Sequence, residues 1–104
     1  MNKKFSDNPN TAVFTTKYVL EYNCPVLYVY HYEEDGAWSF LGAEECQDED
    51  FRLIALEEMI NIDNSILELA DMPLGFYATR KDITSLWQVT YTEISIHEQN
   101  DRNN

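Results

Sequence analysis

Hydrophobic and polar residues alternate over short runs in this chain, and turn-forming or acidic clusters separate the runs. Ala12-Val13-Phe14-Thr15-Thr16, rich in β-branched residues, predicts a first strand. Tyr18-Val19-Leu20 follows as a turn or short helix before Asn23-Cys24-Pro25. The clearest strand signal runs from Val26 to Tyr32. After it, Glu33-Glu34-Asp35-Gly36 reads as a turn, because Asp-Gly suits the positive φ angles of a tight hairpin. Ala37 to Leu41 then returns as the second arm.

The hairpin supports an inference that does not depend on its turn. A two-residue Asp-Gly loop sets His31 opposite Phe40, whereas a four-residue loop sets Val29 there. Both registers have the same parity, so the faces come out alike. Leu27, Val29 and His31 share one face with Trp38 and Phe40. Tyr28, Tyr30 and Tyr32 share the other with Leu41. One face is aliphatic with a tryptophan anchor and the other is a tyrosine stripe. Which of them the helices cover stays open at this point.

Gly42 to Asp50 is an acidic loop, and Phe51 to Ala55 is compatible with a strand. Leu56, Met59 and Ile60 have the spacing of a short helix. Asp63-Asn64-Ser65 resembles a cap, with Ser65 and Glu68 at capping-box spacing, for a second short helix carrying Ile66, Leu69 and Ala70. Met72-Pro73-Leu74-Gly75 ends it, since proline cannot continue the hydrogen-bond ladder. Phe76 to Arg80 and Trp87 to Tyr91 alternate as two more strands, the latter open to continuation through Ile94-Ser95-Ile96. This order predicts an α+β fold: a small antiparallel sheet with two short helices packed on one face. A single domain is expected over residues 11–97, between polar segments 1–10 and 98–104 that are expected to be mobile.

At 104 residues and 44% hydrophobic, the chain can build one modest core. Its net charge of −12 changes the functional picture more. A general nucleic-acid binder or an anionic-membrane binder needs cations to meet phosphate, so the charge argues strongly against the first and disfavours the second. Between Tyr18 and Thr79 there are fourteen acids and one base, Arg52. A field of that sign steers a basic partner. No apolar run follows Lys3-Lys4, and no apolar stretch is long enough to span a bilayer. Cys24 and Cys46 have no neighbouring ligand pattern, so reduced thiols and a cytoplasmic address are expected.

Candidate chemistry is sparse. The paired carboxylates read as solvated charge, and the calcium-loop pattern is absent. His31, the one histidine inside a predicted core element, reads as hydrogen-bonded and structural beside Trp38; His97 lies near the chain end. Two histidines and two cysteines spread this widely do not suggest zinc. No metal, cofactor or catalytic residue is expected. Arg80 has two readings: an anion site, with Trp38 or His31 lining the pocket, or an ion pair with Asp71, Asp63 or a loop glutamate. The surplus of acids favours the pair. Seven tyrosines and two tryptophans are the best functional lead. The expected contact surface for a basic protein partner is Tyr28, Tyr30 and Tyr32 with the loop acids Glu44, Glu45, Asp48, Glu49 and Asp50.

The order of several short pieces resembles a bacterial domain-of-unknown-function family, part of which is described as a class of immunity proteins from polymorphic toxin systems. The pieces are Val19-Leu20, the Val26 to Tyr32 strand, Gly36-Ala37-Trp38-Ser39-Phe40, and Gly42 with Glu44-Glu45. Leu56-Glu57-Glu58, Ile62-Asp63, and Pro73-Leu74-Gly75 with Ala78 and Arg80 continue them. The resemblance implies an α+β fold and an activity of binding, not catalysis. An immunity protein of this kind would bind and block a toxin's catalytic domain, and an acidic inhibitor suits a basic one.

Overall fold

The computed structural model describes residues 3–92. The expected continuation through Ile94-Ser95-Ile96, His97 and the segment 98–104 lie outside the described residues. Within them run β1 (Ala12–Thr16), α1 (Lys17–Tyr22), β2 (Tyr28–His31), β3 (Trp38–Leu41), β4 (Phe51–Ala55), α2 (Leu56–Ile62), β5 (Phe76–Thr79) and β6 (Gln88–Tyr91). Two 3-10 segments, Asp48–Asp50 and Asn64–Leu69, complete the order. The strands form one sheet, β4-β1-β3-β2-β5-β6, so the fold is α+β. The sheet is mostly antiparallel; β1 and β3 run parallel, because β1 lies between β4 and the β2–β3 hairpin.

Local chemistry accounts for the joins. Thr16 caps α1, its Oγ1 accepting from the Val19 N–H at 3.3 Å. Asn23, at φ 60°, closes that helix in the left-handed region, which asparagine tolerates better than most side chains. The hairpin adopts the four-residue loop: His31 faces Trp38 and Val29 faces Phe40. Gly36 provides the positive φ of 74° that this turn requires, and its N–H donates to the Tyr32 carbonyl.

The helices cover the tryptophan face. Val29, Trp38 and Phe40 are buried with Val13, Val19, Leu56, Met59, Ile66 and Ala78. His31 stacks on Trp38 with ring centroids 3.8 Å apart. The second predicted helix is a 3-10 segment with a different cap. Asp63 Oδ1 accepts from the Ser65 N–H at 3.0 Å and from its hydroxyl at 2.6 Å, so Asp63 caps and Ser65 is held by it.

Segment 3–10, expected to be mobile, lies on this core. The Phe5 ring meets Trp38 edge-on at 5.0 Å and Phe40 at 6.4 Å. The Trp38 indole N–H donates to Asp7 at 3.3 Å, the acceptor that a buried indole needs. The packed unit thus starts upstream of Thr11. Among the described residues, no helix is long and apolar enough to cross a membrane.

Candidate functional site

Strand register determines which residues share the uncovered face. Tyr30 pairs with Ser39 and Tyr77, Ser39 with Phe14, and Phe14 with Leu53. Alternation then puts Phe14, Phe51, Leu53, Leu41, Tyr28, Tyr30 and Tyr77 on one surface, with small or uncharged residues between them. None of the strand residues on this face is charged. Leu53 is 60% exposed; Phe14, Phe51 and Tyr28 are 41, 40 and 39% exposed. In a chain of charge −12, an uncharged face that reaches across all six strands is a marked departure from the rest of the surface.

The tyrosines pack against one another. The Tyr30 ring stacks on Tyr32 at 5.9 Å and on Tyr77 at 5.5 Å, with interplanar angles of 6° and 18°. Burial raises the Tyr30 hydroxyl pKa first, and the neighbouring phenols of Tyr32, Tyr77 and Tyr28 add to it. The Tyr30 ring is therefore held neutral, and the stacked rings are pre-ordered on the sheet.

Acids lie at both ends of this face. The turn holding Glu33, Glu34 and Asp35 closes one end. The loop with Glu45, Asp48 and Glu49, all exposed, leads from β3 to β4 at the other. Two loop acids predicted for the same surface are turned inward. Asp50 is buried: it accepts from the Gln47 N–H at 2.8 Å and pairs with Lys17 at 3.2 Å. These contacts, the Gln47 bond foremost, hold its carboxyl below the usual range despite burial. Asp50 is thus a structural residue of the loop, not a contact residue. Glu44 is half-buried, with Oε1 sealed from solvent and, among the described residues, without a hydrogen bond of ordinary geometry. That oxygen approaches Gly42 so closely that a side chain there would meet it at 2.5 Å.

The other candidates resolve into the core. Arg80 is buried, and all three guanidinium nitrogens are used. Nε donates to the Val26 carbonyl at 3.0 Å, Nη1 to the Ser65 hydroxyl at 3.1 Å, and Nη2 pairs with Asp63 at 3.0 Å. Its face lies over Trp87, 4.2 Å from the ring centroid. An open groove of about 640 Å³ runs alongside, lined in part by Arg80, whose guanidinium is paired with Asp63. His31 Nδ1 donates to the Met72 carbonyl at 2.7 Å. Burial pushes both thiols up, with Glu44 adding to the effect at Cys24, and Asp50 and Glu44 at Cys46. Among the described residues no cluster of three or more metal-ligating side chains occurs.

Sequence reasoning found the tyrosine stripe but missed the Phe14, Phe51 and Leu53 half of the same face. A signal was present: Phe14, Phe51 and Leu53 occupy alternate positions in their strands, like the tyrosines. Comparison with known proteins adds no identity: no protein family, curated protein or solved structure matches the chain.

Proposed function

We propose that this chain is a binding module whose uncovered sheet face docks a basic protein. The observation that carries it is the combination of an uncharged aromatic face with acids at both ends. Six strands about 4.8 Å apart and four or five residues long give a flat footprint of roughly 300–400 Å². A standard interface occupies about 800 Å² per partner, so the partner must also cover the flanking acids. Aromatic anchors in such a centre slow dissociation, and the acidic rim speeds encounter with a cation-rich surface.

With the family resemblance added, the partner class becomes the basic catalytic domain of a toxin, which the module would block as an immunity protein. Free thiols with raised pKa fit a reducing cytoplasm as its place of action. The test is capture of a cognate basic protein from the native host at physiological salt, with wild type compared to Tyr28→Ala/Tyr32→Ala. Wild type should retain one basic protein that the double variant releases. Empty capture, or capture indifferent to the tyrosines, would count against the proposal.

A further inference from the structure

Strand β4 forms one edge of the sheet, and its hydrogen-bonding pattern shows what that edge offers. The Leu56 N–H donates to the Thr11 carbonyl at 2.8 Å, which makes Thr11 and Leu56 a hydrogen-bonded pair. Such pairs alternate along an antiparallel ladder, so Ile54 and Arg52 bond to β1 while Phe51, Leu53 and Ala55 turn their N–H and C=O outward. Phe51 is already satisfied: its N–H donates to the Asp48 carbonyl, and its own carbonyl accepts from Arg52 at 3.0 Å. The Ala55 carbonyl begins the hydrogen-bond ladder of α2, as that of an N-cap residue does. Among the described residues, no backbone partner outside the regular elements meets the outward N–H and C=O of Leu53 or the N–H of Ala55. Leu53 is also the most exposed large hydrophobic side chain on the uncovered face.

Natural sheets blunt their edges with charge or a bulge, and here only the Phe51–Arg52 half is treated in that way. We propose that the Leu53–Ala55 edge of β4 accepts an added strand from the partner, a short extended segment with alternating apolar residues and basic residues at both ends. This rests on the basic-partner reading above and names the partner's contact element. Charge selects the occupant. Asp48 and Glu49 stand exposed before β4, and Glu57 and Glu58 stand exposed after it, with no ion pair to any of them among the described residues. A second copy pairing antiparallel through β4 would set Asp48 and Glu49 against Glu57 and Glu58 of its mate. Like charges in opposition disfavour that dimer. Lysines or arginines flanking the incoming strand meet acids at either end, and strand addition then provides main-chain hydrogen bonds as well.

The probe is a synthetic peptide of five alternating valines and threonines with two lysines at each end, titrated into the isotope-labelled full chain. Its control has the same sequence with every central amide N-methylated, which keeps the charge and removes the main-chain donors. The expected result is displacement of the Leu53 and Ala55 amide resonances, slowed exchange at both, and at least tenfold weaker binding of the control. Equal binding of the two peptides would show that charge alone attracts them and would overturn the proposal. Shifts confined to the tyrosines, or no binding, would do the same. If the peptide fails while partner capture still depends on Tyr28 and Tyr32, only the edge proposal falls; if capture also fails, the docking face falls with it.

Discussion

Truncating Arg80 to alanine removes a buried cation from three polar contacts at once. The lost bonds reach the Val26 carbonyl just before β2, and Ser65 and Asp63 at the start of the 3-10 segment. The same guanidinium packs over Trp87 just before β6. Hydrogen bonds to a charged group are worth about 1.5–3 kcal/mol each, and a cation over an indole about 0.5–2 kcal/mol. The sum overstates the effect, because desolvating the ion offsets much of it. Breaking a buried pair by removing one partner costs about 3–5 kcal/mol, and that is the expected loss. Asp63 keeps 21% side-chain exposure, so water relieves part of its orphaned charge and the lower half of that range is favoured. For a domain of this size about 1 kcal/mol moves the melting temperature by roughly 4–8 °C, so a drop of at least about 12 °C should follow.

The assay is urea and thermal unfolding of wild type, Arg80→Ala, Asp63→Ala and the double variant. A coupling energy above about 1 kcal/mol between the two positions is expected, because they share one contact. Arg80→Lys should recover only part of the loss, since a point ammonium cannot hold three divergent acceptors. An Arg80→Ala protein within about 1 kcal/mol of wild type would refute the structural assignment. It would also reopen the anion site that the open groove beside Arg80 could house.

Three further outcomes follow from the same geometry. Trp38→Ala should cost about 3–5 kcal/mol, whereas Tyr28→Ala and Leu53→Ala should each cost under about 1 kcal/mol; chemical denaturation would expose a misassigned face if the order were reversed. Phe5→Ala in a Trp87→Phe background should shift the Trp38 fluorescence to longer wavelength and cost about 1–2 kcal/mol for its two edge-on aromatic contacts; an unchanged spectrum would mean that this segment does not shield the indole. Asp50 has a folded pKa below its unfolded value of about 3.9, so its stabilising contribution is complete above that value and is lost as pH falls through the folded one. The stability gap between wild type and Asp50→Asn should therefore close in acid, and a gap that is constant with pH would contradict the Gln47 bond and the ion pair with Lys17 as the causes.

What could be read in advance was whatever depends on local periodicity. The hairpin separated Trp38 and Phe40 from Tyr28, Tyr30 and Tyr32 because strand parity survives a change of loop length, and the structure selects the four-residue loop without moving a residue between faces. Which face the helices cover was not legible, because both are apolar and hydrophobicity alone cannot rank them. The parallel β1–β3 pairing was hidden for a similar reason: strand order depends on where a distant segment inserts, and no local pattern records it. Asp50 looks like its neighbours Asp48 and Glu49 in sequence, yet it is buried by Lys17, thirty-three positions away, and by the turn at Gln47.

The missed half of the uncovered face bears most on the proposed function. Tyrosines in a hairpin suggest a small contact site, but β1 and β4 extend it with Phe14, Phe51 and Leu53 to the far edge of the sheet. That extension brings the uncharged surface to a free main-chain edge, with acids before and after the strand. A partner that covered only the tyrosines would leave Leu53 exposed, and one that covered only β4 would leave the stacked rings unused. A partner matching the whole surface needs an apolar patch beside an extended basic segment. Under the proposed docking mode, steering by the acids and retention by the aromatic face are separable: Glu57→Gln should slow association and weaken its salt dependence, while Tyr28→Ala should mainly accelerate dissociation. Stopped-flow binding that showed both variants acting on the same rate constant would refute this division.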